Sequence, residues 1–314
     1  MYGYGQLKNI NVSGKGKADT HVHTKYSGFS RYLFMHYPDS ISDPDKVVKA
    51  AIRKELNVLC ITDHNSIEGA LKAQKYSKSV LPNISNIEIV IGEEISTSEG
   101  EMIGLFLQER IQPGLSAEET AEHIHDQDGI AIAPHPFSPH CPCLGQKVQY
   151  LDLDGIEIFN AVHRDPYSNI LASRKSIING RACMGGSDAH IIKDVGNGYT
   201  IFSGTTADDF KKSILKKETL FGGDTTTLKD CILWSIFSSF YITKATYRTL
   251  RGIFPKEDPL HLRINRIKKR NKILGLIASS LYLLPPIPIV IGLIGEVIIR
   301  KKARRLWFET VDNI

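Results

Sequence analysis

Two histidines one residue apart, His21 and His23 in Asp19-Thr20-His21-Val22-His23-Thr24, open the list of residues whose types and spacing can do chemistry. In extended backbone the side chains at i and i+2 point the same way, so both imidazoles project together while Val22 packs behind them. Two imidazoles side by side can hold one divalent metal. A lone pair of this kind is a weak sign, but similar residues recur down the chain in Asp63-His64, Glu94, Pro134-His135-Pro136 and Asp188-Ala189-His190. Taken singly, each has a plain reading. His64 can cap a helix, Asp188-Ala189-His190 can be a turn, and Glu93-Glu94 a solvated charge pair.

What sets them apart is the kind of element each one ends. Apolar runs at 57–62, 87–91, 129–133, 155–159 and 181–186 read as strands, and they end in His64, Glu94, His135, Asn160 and Asp188 respectively. Runs at 102–107 and 199–202 read as two more. Helical patterns lie between them: Asp43-Pro44 begins one with proline in its first turn, and Ser66 begins the next. A capping-box-like Ser116-Ala117-Glu118-Glu119 opens the third, with further helices at 166–179 and 208–217. Strands alternating with helices imply a parallel sheet buried on both faces. If that sheet closes into a barrel, every C-terminal strand end meets at one mouth, where imidazoles and carboxylates would converge.

Charge divides the chain in two. Residues 226–314 hold 16 Lys/Arg and 6 Asp/Glu, +10 out of a total of +5, so residues 1–225 carry −5. The half with the histidines therefore has no basic nucleic-acid footprint, and the tail suits an anionic partner. We expect one domain over 1–225, the part with the histidines, and a helical region over 226–314. The five cysteines have no framework spacing and Met1 to Gly16 no apolar signal run, which points to reduced thiols and a cytoplasmic location. Within the tail, Ile273 to Gly295 is 23 residues without a charge, flanked by basic runs and interrupted by Pro285, Pro286 and Pro288. Prolines would break a straight span, and two basic flanks favour the same side of a bilayer. This combination predicts a re-entrant membrane hairpin over 273–299, held to the cytoplasmic face of an anionic membrane. A buried helical hairpin is the alternative.

In order along the chain, Asp19-x-His21-x-His23-Thr24, Thr62-Asp63-His64-Asn65, Gly92-x-Glu94-Ile95-Ser96, Ala133-Pro134-His135-Pro136, Glu157-Ile158-Phe159-Asn160 and Gly186-Ser187-Asp188-Ala189-His190 resemble the motifs of the polymerase-and-histidinol-phosphatase (PHP) family. The resemblance spans roughly Lys17 to Phe202. It implies a distorted seven-stranded α/β barrel of the (β/α)7 type that binds two or three divalent metals (zinc, manganese or iron) and hydrolyses a phosphoester. By the same resemblance His21, His23, Glu94 and Asp188 are ligands of one metal. Glu94 bridges to a second metal held by His135, and His64 and His190 bind a third.

Two positions depart from the pattern. Gly28 stands where relatives often carry an acidic residue or histidine, which leaves the third site short of a ligand. Asn160 stands where some carry histidine, and His163 is the candidate substitute. Asp19 and Asp63 are expected to orient ligand imidazoles, and Lys25, Arg31 and Arg164 to contact phosphate. The expected substrate is a phosphorylated small molecule, a nucleotide or a short oligonucleotide; the oligomeric state is open. Two rival readings stand beside this one. The first is an amidohydrolase-like enzyme cleaving C–N bonds, whose metal-bridging lysine is not evident here. The second is a non-catalytic, metal-stabilised binding module.

Overall fold

A computed structural model describes residues 16–32, 35–80 and 86–311; the side chains of 30–32, 35, 36, 177–179 and 311 lie outside that description. Nine strands form one sheet. Its parallel runs are β1 (Gly16–Asp19), β4 (Val58–Ile61) and β5 (Glu88–Ser96) on one side, and β7 (Ile130–Ala133), β8 (Gly155–Asn160) and β9 (Ala182–Gly186) on the other. Between them β6 (Glu101–Leu105) runs antiparallel to both neighbours. At the far edge β10 (Gly198–Phe202) and β11 (Leu220–Gly223) also run antiparallel. The all-parallel expectation is corrected here. The link from β5 to β6 is a tight turn through Ser98, Glu99 and Gly100, too short to carry the crossover that parallel strands need. A separate two-stranded ribbon, β2 (Phe29–Tyr32) with β3 (Met35–Pro38), stands beside the barrel mouth.

The sheet curls until its two ends meet. Thr200 Oγ1 in β10 accepts from Gly185 N at 2.8 Å, and Thr219 Oγ1 donates to Cys183 O at 2.8 Å, which sews β9 to the opposite edge. Alternation decides what fills the inside. Val58, Cys60, Val90, Ile103, Leu105, Ile130 and Ile132 face the interior, plugged at the base by Phe210 and Ile214 of α5 (Ala207–Leu215). The other face of the same strands packs outward. Leu59, Ile61 and Ile89 meet α1 (Pro44–Arg53) and α2 (Glu68–Val80), while Ala131, Ile156 and Ile158 sit with residues of α3 (Ala117–His125) and α4 (Ser168–Asn179). Both faces are buried, as continuous apolar runs require. The capping box at Ser116 and Glu119 forms as expected.

The C-terminal helices are α6 (Leu228–Leu250), α7 (Pro259–Arg266), α8 (Lys269–Tyr282) and α9 (Ile287–Val311). They pack against the barrel mouth. Arg164 bonds Glu296 through two nitrogens at 3.1 and 2.9 Å, and Lys25 reaches both Asp43 at 2.8 Å and Asp258 at 3.1 Å. Among the described residues no single helix is long and apolar enough to cross a membrane. The α8–α9 pair passes that test together but bends by 89° at the break, so it forms a right-angled elbow and does not double back. Along it Ile277, Leu281, Leu284, Leu293, Ile294 and Val297 are half exposed.

Candidate metal centre

The chain leaves β1 at Asp19 and stays extended, with Val22 bridging Ala189 just past β9. Val22 is fully buried among Val47, Leu59 and Ile61, which fixes the two histidines on the opposite side. Their Nε2 atoms lie 3.1 Å apart. On β5 the alternation that turns Val90 inward also turns Glu94 inward. Glu94 Oε2 sits 3.2 Å from His21 Nε2 and 3.3 Å from His23 Nε2, and Oε1 sits 3.0 Å from His135 Nε2. Glu93 faces the other way and accepts from Ile111 N at 2.9 Å; burial pushes its carboxyl up to about 7. Asp188 Oδ1 completes the first cluster, 3.3 Å from His23 Nε2 and 3.5 Å from His21 Nε2. Both His135 and Asp188 hold positive φ, at 27° and 51°. Such backbone strain in residues other than glycine is found where a site fixes its geometry.

Four overlapping groups of ligand-type atoms result. They are His21, His23 and Asp188; His21, Glu94 and His135; His64, Glu94 and Glu101; and His23, Asp39, His64 and His190. The structure thus brings together His21, His23, His64, Glu94, His135, Asp188 and His190. It adds two carboxylates that the sequence reading missed. Asp39 Oδ1, just past β3, is 3.2 Å from His190 Nε2 and 3.8 Å from His64 Nε2, so it supplies an acidic group where Gly28 leaves a gap. Glu101 lies 3.6 Å from His64 Nδ1. It shares its strand face with Ile103 and Leu105, both in the barrel interior, so alternation along β6 could have revealed it. Nothing comparable marked Asp39, which follows β3 in a stretch that carries no motif.

Glu157, quoted in a motif but given no role, holds the cluster from behind. Its Oε1 is 3.1 Å from His21 Nδ1, and its Oε2 accepts from His135 N at 2.8 Å. Ser27 Oγ is 2.9 Å from His23 Nδ1, and Asp188 O 2.8 Å from His190 Nδ1. With the proton on Nδ1, each of these rings presents Nε2 to the cluster, the arrangement metal-binding histidines adopt. The expectation that Asp19 and Asp63 orient imidazoles is corrected accordingly. Asp19 accepts from the backbone N–H of Ser187 and Gly196 at 2.9 and 2.7 Å, and Asp63 from Thr24 N and Thr24 Oγ1 at 2.5 and 2.6 Å. They clamp the loops that carry Asp188 and His23, and burial pushes each carboxyl up to about 6.

Three further expectations change. His163 Nε2 turns to Ser138 Oγ at 3.2 Å and joins none of the four groups, because its ring packs edge-on against His140 and His135. Asn160 instead donates to Glu157 Oε2 at 2.9 Å and to Asp188 Oδ2 at 3.1 Å, bracing two carboxylates. Arg164 borders the cavity, but its guanidinium is held by Glu296; Lys25 is likewise taken by Asp43 and Asp258. The side chain of Arg31 lies outside the described residues.

The electrostatics fit a cation-binding role. Burial alone would lower the histidines, yet hydrogen bonds that His23 donates to Asp188 and Glu94 hold it up at about 10, and Glu94 holds His135 at about 9. Burial and the charge of Glu94 push Glu101 up to about 8. Burial would also raise Asp39, but His190 and His64 keep its carboxyl far below the usual range. Asp39 Oδ2 is buried without a hydrogen-bond partner in a nest of imidazoles. Groups that gather protons so densely are groups whose protons divalent metals displace. Imidazole and carboxylate donors suit zinc, manganese or iron.

The comparisons agree with this geometry. The PHP domain profile matches residues 19–176 and the PHP-associated profile residues 166–219. The chain belongs to the PHP family of metal-dependent hydrolases. It is 50% identical to protein MJ1587 of Methanocaldococcus jannaschii over 161 residues, covering 51% of this chain and 91% of that one. Protein MJ1588 of the same organism is 41% identical over 110 residues, 35% of this chain and 94% of that one. Among solved structures, PsfC from Pseudomonas syringae PB-5123 superposes with a TM-score of 0.51 at 20% identity, covering 73% of this chain and 98% of that chain. That likeness speaks for the fold.

Proposed function

We propose that the protein hydrolyses phosphoesters with the help of two or three divalent metals. Supporting this reading is one observation above the others: four histidine–carboxylate groups, two of them wholly buried and two half-buried at His64 or His190, overlap, with Glu94 shared by two of them. His21, His23 and Asp188 would hold one ion, and His21, Glu94 and His135 a second. His23, Asp39, His64 and His190 would hold a third, with Glu101 beside it. Bound divalent cations supply an activated water at neutral pH and offset charge on the phosphoryl oxygens.

The chain's own residues do the rest. Glu157, Ser27 and the Asp188 carbonyl fix ring orientation, Asn160 braces Glu157 and Asp188, and Asp19 and Asp63 lock the two loops. A cavity of about 950 Å³ opens over the rim, bordered by Arg164 and Arg263. Its size suits a phosphomonoester, a nucleotide or the end of a short oligonucleotide. The exposed apolar elbow of α8 and α9 with its basic flanks supports attachment to an anionic membrane surface on the cytoplasmic side.

The test uses full-length protein loaded with manganese or zinc. Phosphomonoesters, cyclic nucleotides and oligonucleotides are offered, and bound metal is counted by mass spectrometry. Glu94→Gln should cost on the order of a hundredfold or more in turnover with the fold intact. Full metal content with no turnover of any phosphoester would sink the enzyme reading in favour of a metal-stabilised binding module. For membrane attachment, full-length protein found wholly soluble at low salt decides against it.

A further inference from the structure

The cavity over the metal centre has two unlike halves. Glu94, His135, Asp188 and His190 stand on one side, and the C-terminal helices build the other. From α9 come Ile291, Gly292, Gly295 and Ile299, with Glu296 among them turned to Arg164 and Arg300, and from α6 Ile232 and Trp234. The α9 positions recur at the spacing of a single helix face. Gly292 allows that face to close on α6, since a Cβ there would lie 2.6 Å from Ile232 Cγ1. At Gly295 an added Cβ would meet nothing within 4 Å, so bare helix backbone borders open space. Ile291 lines the cavity and is still 51% exposed, which carries the apolar wall out to the elbow's surface.

The boundary between the halves is cationic. Arg263 of α7 reaches across to the loop at Gly28, where its guanidinium occupies the space a Cβ would need, and donates to Tyr26 O at 3.3 Å. Among the described residues no carboxylate forms a salt bridge with it. A small hydrophilic ester would leave the apolar wall wetted and unused, whereas burying hydrocarbon against it is favourable.

We propose that the substrate is an amphiphilic phosphomonoester. Its phosphoryl group sits at the rim beside Arg263, and its hydrocarbon chain lies against Ile232, Ile291, Gly295 and Ile299. This assignment rests on the phosphoesterase reading. Hydrolysis breaks the bond between phosphorus and the alkyl oxygen, joins the oxygen of water to phosphorus and returns a proton to the departing alkoxide. Inorganic phosphate and a long-chain alcohol result.

Non-hydrolysable alkylphosphonates from methyl to decyl, kept below their micellar concentrations, test the seat by calorimetric titration of full-length protein with manganese. Affinity should rise by up to about fourfold per methylene buried, giving at least a tenfold gain from hexyl to decyl. Gly295→Phe, which fills the open space, should flatten that dependence; mere adsorption to the outer face of the elbow would not respond to it. Turnover of decyl phosphate should exceed that of methyl phosphate at least tenfold in kcat/KM.

The two ways of failing are distinct. Equal kcat/KM for both esters with flat phosphonate binding overturns the amphiphile assignment and leaves the phosphoesterase standing. Chain-length-dependent binding with neither ester turned over overturns the phosphoesterase, and with it the substrate.

Discussion

Glu94 shows how much one carboxylate can organise. It lies within 3.3 Å of imidazole nitrogens from His21, His23, His64 and His135, which come from three separate stretches of chain. Its position was readable in two parts: strand alternation lets only one of Glu93 and Glu94 face inward, and the resemblance of Gly92-x-Glu94 to the family motif picks Glu94. The histidines were readable for a similar reason, each ending a strand. Asp39 and Glu157 were not. One follows a short ribbon strand in a stretch without a motif, and the other acts through the far side of an imidazole, which no spacing rule reaches. Their roles yield expectations of different kinds. Asp39→Asn should remove one bound ion per chain, counted by mass spectrometry, while the group around His135 keeps its own. Glu157→Gln keeps the size but puts an amide where His21 Nδ1 and His135 N need an acceptor. Loss of such a supporting group costs about 10–100-fold in metal affinity or activity, measurable as a rightward shift of the manganese activation curve.

At the scale of elements, the apolar runs and helix caps located most strands and the barrel helices, and the C-terminal strand ends did converge. Strand direction was less visible. An apolar run does not reveal its polarity in the sheet, so β6 and β10 read as members of a parallel set until their partners were seen. The short turn at 97–100 was the one available clue. The base of the barrel is held by α5, with Phe210 fully buried against Phe106 and Phe202. Phe210→Ala should cost about 3–5 kcal/mol in denaturant unfolding and leave the metal count per folded chain unchanged, since the plug lies at the opposite end from the rim.

At the scale of the whole molecule, the cluster links folding to metal. Three buried histidines, two half-buried ones and several buried carboxylates meet within one rim, and ions that bind only the folded chain stabilise it by mass action. Chelation should therefore lower Tm, and readdition of manganese should restore it. At a concentration 1,000 times the dissociation constant the difference is about 4 kcal/mol. An unchanged Tm after chelation and verified metal removal would speak against a site of this kind. The division of charge between the halves was legible from composition, but the use the barrel makes of the tail was not. Lys25, Arg164 and Lys193 each reach across to an acid in the C-terminal helices.

The indole of Trp234 has one more implication. From α6 it donates to the main-chain carbonyl of Asp39 at 3.3 Å and meets the His190 ring edge-on at 5.5 Å. The group of His23, Asp39, His64 and His190 is thus propped by a residue that lies beyond the barrel in sequence. Trimming the chain back to the barrel would take away that support and knock a strut out from under the imidazole and the aspartate it braces.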